Sequence, residues 1–189
     1  MPLPEPDVAR DEAHLRDITL RGFHRADGLF DIEGRLLDRK PVEFQVMVGP
    51  LVAPMAPIHD VSVRMTIDLD YRVVAIVGVS DTVPYKGCHE APPNLAGLVG
   101  ASIADGWGKA VRTHFGGVRG CSHLFELLQT LGSVAFQTLI PLRRHIPEVN
   151  ASGTPPFLLN NCIAFHEEGA VAPIRWPSLY ENGRLKRTD

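Results

Sequence analysis

"VSVRMTIDLDYRVVAIVGVS", Val61 to Ser80, is the stretch that decides the fold. Val61, Val63, Met65, Ile67 and Leu69 alternate with Ser62, Arg64, Thr66, Asp68 and Asp70, the period of a strand with one buried face. "DLDY" supplies a turn, and "RVVAIVGVS" returns apolar on both sides. That return predicts a central strand covered by helices.

Upstream the same period continues. In "GLFDIEGRLLD", Phe30, Ile32, Gly34 and Leu36 share one face and Asp31, Glu33 and Arg35 the other. "DRKP" turns the chain, and "VEFQVMV" is expected to return as the hairpin partner. "LVAPMAPIHD", with its two prolines, reads as a loop. Alternation begins near Arg16, so residues 1–15 are expected to be a flexible arm and the first half of the chain to hold four or five antiparallel strands.

Downstream the period lengthens. Asn94 is expected to cap a short helix carrying Leu95, Leu98 and Val99, and Asp105 a second with Trp107, Ala110 and Val111 facing inward. Glycines 97, 100, 106 and 108 argue against one continuous helix. The best helix follows. Leu124, Leu127, Leu128, Leu131, Val134 and Ala135 keep i, i+3, i+4 spacing, with Ser122 as cap and Pro141 beyond the end. "NASGTPP" reads as a loop, and "FLLNNCIAFHEEGAVAPIRW" as a hairpin turning at Glu168–Gly169. Strands first and helices afterwards indicate an α+β fold. The expectation is one domain over 16–180, its N-terminal antiparallel sheet packed by C-terminal helices, with a polar tail at 181–189.

The 189 residues are 44% apolar and carry a net charge of −3, enough for one cored domain and without the basic footprint of a nucleic-acid binder. No apolar run approaches the roughly 20 residues of a spanning helix. The start, "MPLPEPDVARDEAH", lacks the basic and apolar blocks of a secretory signal, so the cytoplasm is expected. Three cysteines, none in a CxxC pair, fit free thiols in a reducing compartment.

Chemistry concentrates at "VRGCSHLFELL". Cys121 and His123 fall at a helix start, where unpaired N–H groups stabilise a thiolate or an anion. Cys88, in "PYKGCHEAPP", stands where the sheet half meets the helical half. Cys162 lies in an apolar run and reads first as core. His59 and Asp60 enter the clearest strand, a general acid/base pair by type, although neighbours on a strand point to opposite faces. His14, His24, His114 and His145 read as surface residues. "FGGVRG" lacks the lysine and spacing of a phosphate loop.

Together "KPVEF", "PIHDVSVRMTID", "PYKGC", "GVRGCSHLFELL" with "AFQT", and "WPSLY" closely resemble a bacterial family known as domain of unknown function 2889, over about Arg16 to Tyr180. The resemblance implies a single bacterial domain and supplies little mechanism. The layout is also similar to iron–sulfur cluster assembly scaffolds, which would make Cys88, Cys121, His123 and Cys162 a matching set, although the spacing departs from theirs.

These readings lead to an expected small-molecule enzyme, a lyase or hydrolase acting on a small aromatic or carboxylate catabolite. His59, Asp60 and Arg64 would be catalytic, and Tyr85, Trp107 and Arg119 would contact the substrate. Cys88, Cys121 and His123 would hold zinc or iron. No nucleotide cofactor, nucleic acid or membrane is expected, and a homo-oligomer is left open. The alternative is a metal or cluster carrier that adds Cys162 to the ligand set.

Overall fold

The computed structural model describes residues 3–142, 158–182 and 184–186. The chain gathers into two compact units, Met1–Leu139 and Ile140–Asp189, and each is considered by itself.

In the first unit, β1 (Leu15–His24) and β2 (Phe30–Arg39) form a hairpin closed by Gly28 in the left-handed region, φ 84°. A two-residue ladder follows, β3 (Phe44–Gln45) with β4 (Leu51–Val52). The long strands β5 (Pro57–Ile67) and β6 (Val73–Thr82) complete a four-stranded antiparallel sheet in the order β1-β2-β5-β6. The expected return of "VEFQVMV" against β2 therefore does not occur. That segment makes only the β3–β4 excursion, and β2 pairs instead with β1 and β5.

The alternation of β2 and β5 is realised as read. Phe30, Ile32 and Leu36, with Val61, Val63, Met65 and Ile67, are buried on one face. Leu69 instead lies in the exposed turn. The expectation for Val73 to Ser80 is also corrected, because β6 is an edge strand with Val74, Val77 and Val79 about half exposed. Its start is covered by the segment around Gly100 to Ile103, through the Arg72–Ser102 bridge and the Val73 N–H to Ala101 C=O bond of 3.0 Å.

Helices that follow in the chain cover the apolar face. Pro92–Leu98 is a 3-10 turn burying Leu95 and Leu98. Asn94 lies inside it rather than capping it, and Val99 is exposed. α1 (Trp107–Phe115) is entered through Gly106 at φ 74°, not through an Asp105 cap. It buries Trp107, Val111 and Phe115. α2 (Ser122–Leu139) buries Leu124, Leu127, Leu128, Leu131, Ala135 and Leu139. Its cap is Cys121, whose carbonyl accepts from Phe125 N–H at 2.8 Å, so Ser122 is already in the first turn. Trp107 Nε1–H donates to the Leu128 carbonyl at 2.7 Å, tying α1 to α2.

Two close approaches set the course of α2. A Cβ on Gly34 of β2 would meet Leu127 and Leu131, and one on Gly22 of β1 would fall 1.9 Å from Thr138 Oγ1. At the other end Glu126 reaches Arg16, near the start of β1. The helix thus runs alongside β1 and brings its N-terminus to the Arg16 end of the sheet. This is an α+β fold, with an N-terminal antiparallel sheet packed by later helices.

The second unit holds a 3-10 turn at Ile163–Phe165, α3 (Val171–Arg175) and a small ladder of β7 (Tyr180–Glu181) with β8 (Arg184–Leu185). The expected hairpin turning at Glu168–Gly169 is not formed there. Gly169 closes a turn onto the His166 carbonyl, and the following residues enter α3. Trp176 is buried beside Phe165, ring centroids 5.3 Å apart, and Tyr180 Oη–H donates to the Glu167 carbonyl. The expected polar tail begins inside the β7–β8 ladder. "NASGTPP" and His145 lie outside the described residues.

Candidate functional site

Antiparallel register lines up Arg16 of β1, Asp38 of β2 and His59 of β5 across three strands, on the face that α2 covers. Asp38 continues the inward series Phe30, Ile32, Gly34, Leu36 by one more step, placing a carboxylate where the pattern calls for an apolar side chain. It is 1% exposed. His59 stands opposite it in the regular β2–β5 register, and the irregularity that follows, between Asp38 and Arg39, sets Arg39 opposite Pro57 rather than Ile58.

Four side chains converge on this carboxylate. Arg16 grips it with two bonds, Nε to Oδ1 and Nη2 to Oδ2, each 2.7 Å, and reaches Glu126 of α2 with its remaining nitrogen at 2.5 Å. His14 Nε2 lies 3.2 Å from Oδ1 and His59 Nδ1 3.1 Å from Oδ2. His123, in the first turn of α2, brings Nε2 to 3.4 Å from the same Oδ2 and stacks on His59 with ring centroids 3.6 Å apart. The other nitrogen of His123, Nδ1, is 3.7 Å from Cys121 Sγ and 3.5 Å from Ser122 Oγ.

Burial and charge pull against each other here. Burial alone would raise the Asp38 pKa, but the Arg16 hydrogen bonds and charge, with His123, hold it below the usual carboxylate range. Burial lowers the His59 pKa despite the attraction of Asp38. His123 is pushed down to about 4, first by burial and then by the neighbouring His59. At neutral pH both rings carry a lone pair rather than a second proton.

The expected site residues are distributed as follows. His59 and His123 meet at Asp38, and Cys121 sits just behind His123. Asp60 points to the opposite face of the sheet, where Arg35 binds it at 2.7 and 2.5 Å and keeps its pKa low. Arg64 is exposed on that outer face and paired with Glu33. Cys88 lies partly buried in the 3-10 turn Lys86–Glu90. Among the described residues it does not join the group with ligand atoms mutually within 4.8 Å, which is Asp38, His59 and His123.

Tyr85 is exposed and donates to the Met47 carbonyl. Trp107 is spent on the core. Cys162 is exposed in the second unit. Arg119 lines an open groove of about 670 Å³ with Arg112, Phe115, Ser122 and Phe125, and Ser122 joins this groove to His123. A second groove, on the outer sheet face, is lined by Arg21, Glu33, Arg35, Arg64, Val77 and Val79.

The sequence singles out neither Arg16, Asp38 nor Glu126, and His14, expected at the surface, is exposed yet reaches Asp38. One signal was present for Asp38, the single further step of the β2 alternation. His14 and Arg16 stand two residues apart at the start of a strand, on the same face as Asp38.

The family described as Protein of unknown function (DUF2889) matches residues 14–137, about two thirds of the chain. The chain belongs to DUF2889. The matched span contains every member of the Asp38 cluster and both Cys88 and Cys121, whereas Cys162 and "WPSLY" fall beyond it. No curated protein and no solved structure matches the chain.

Proposed function

We propose that this DUF2889 protein is a small-molecule enzyme, a hydrolase or lyase acting on an aromatic or carboxylate-bearing compound at the Asp38 cluster. The observation that carries the reading is that one buried carboxylate holds two imidazoles whose lone pairs are unprotonated at neutral pH. Burying ionisable groups costs folding energy that leucine at the same positions would not, and groups arranged this way collect at reactive centres. Two neutral imidazoles offer electron pairs beside a fixed negative charge, which is the equipment for moving a proton or activating water.

The adjoining groove fits the substrate class. Arg112 and Arg119 suit a carboxylate and Phe125 a ring, and Ser122 bridges from the groove to His123. Among the described residues no helix is long and apolar enough to cross a membrane. All three cysteines are free thiols, which supports a reducing, cytoplasmic setting.

The test is turnover of a panel of aryl carboxylates and aryl esters. His59→Ala and His123→Ala are expected to lose about 100-fold or more in kcat, while Arg64→Ala on the outer face stays near wild type. Variants of both histidines that keep full turnover of a processed substrate would remove the cluster from the chemistry.

A further inference from the structure

We infer that Asp38, His59 and His123 form a binding site for a divalent first-row transition-metal cation. The inference rests on the reading of this cluster as the reactive centre and names what its electron pairs bind.

Spacing is the first argument. Zinc-like ions hold nitrogen and oxygen at about 2.0–2.1 Å, which separates neighbouring donors by about 3.3 Å in a tetrahedron and about 2.9 Å in an octahedron. His59 Nδ1 and His123 Nε2 stand 3.1 and 3.4 Å from the same oxygen, Asp38 Oδ2, and the three donors lie within 4.8 Å of one another.

The second argument is the hydrogen bonding of His123. With Cys121 Sγ and Ser122 Oγ both beside Nδ1, the ring proton has acceptors there. In that tautomer Nε2 carries the lone pair, 3.4 Å from the carboxylate oxygen. A lone pair against an anionic oxygen is repulsive unless a cation stands between them. Metal-bound histidines are commonly fixed in this way, their outer nitrogen donating to a neighbouring group. Cys121, expected from the sequence as a ligand, takes that outer position.

Charge and donor type agree. Arg16 is shared between two carboxylates, Asp38 and Glu126. Arg16 orients the carboxylate through Oδ1 and Oδ2, the role of an outer-shell partner. Two imidazole nitrogens and one oxygen suit zinc, iron, cobalt or nickel better than magnesium or calcium. Three protein donors leave at least one position for water or substrate.

Cobalt(II) and zinc(II) provide the test, titrated into chelator-stripped full-length protein. One cobalt(II) per chain is expected, with visible d–d absorption that zinc displaces. His59→Gln and His123→Gln should each weaken uptake by at least about tenfold, whereas Cys88→Ser should leave it unchanged. Should either histidine variant lose its fold, zinc-induced shifts of the His59 and His123 imidazole NMR signals in wild type replace it. Equal uptake by wild type and folded histidine variants, loss of uptake in Cys88→Ser, or unmoved imidazole signals would overturn the site. Metal uptake without turnover of any panel member would sink only the enzymatic reading.

Discussion

Asp38 is a single buried carboxylate with four partners, and its energetics follow from that. Replacing it with Asn takes the two-bond partner from Arg16 and leaves that guanidinium only Glu126, on a partly exposed face. The expected cost is about 2 kcal/mol, below the roughly 3–5 kcal/mol of a fully enclosed pair because Arg16 is partly solvated. Urea unfolding of Asp38→Asn measures it, and adding Arg16→Met should recover part of the loss. His123 sets a pH dependence. Its folded pKa, about 4, lies below the ordinary 6.5, so between those values the unfolded chain binds the proton that the folded ring refuses. Stability is then complete above about pH 6.5, declines as pH falls, and levels off below about pH 4. The decline attributable to this ring is on the order of 1–2 kcal/mol after allowance for solvent screening. Denaturation midpoints of the metal-free protein across this range, flattened in His123→Gln, check the sign. At this scale the sequence announced residue types. His59, Cys121 and His123 were visible as reactive side chains, whereas Arg16 and Glu126 gain meaning only from partners 22 and 110 positions away.

Among the elements, β2, β5 and α2 were legible because each buries one face and its apolar residues keep a single period. β6 was misread for a physical reason. Its valines suggested cover on both sides, but the face they share with Ser62 and Arg64 of β5 and Glu33 of β2 is polar and open. The 3-10 turns carry too few residues for a period to show. Between α1 and α2 the packing is tight enough to test. A Cβ on Gly132 would meet the Trp107 ring at 2.9 and 3.1 Å, and that ring is held by its bond to Leu128. Gly132→Ala should therefore destabilise by about 1–3 kcal/mol despite the better helix propensity of alanine. Chemical denaturation measures this, and Trp107→Phe, which removes Nε1 and the bond to Leu128 that holds the ring in place, should soften the penalty.

At the scale of the molecule, the cluster belongs entirely to the first compact unit and to the span shared with the family. The α+β class was readable from the order of periods along the chain. The meeting of His59 with His123 depended on the path of α2, which no local pattern encodes. That path is held at both ends. Thr138 presses against bare backbone at Gly22, and about 22 Å away along the same rod His123 leans over Asp38. The helix is in effect a lever with its fulcrum on the leucines over Gly34. Bulk introduced at position 22 is expected to tilt this rod, and a shifted His123 imidazole signal in Gly22→Ala would report the tilt at its far end.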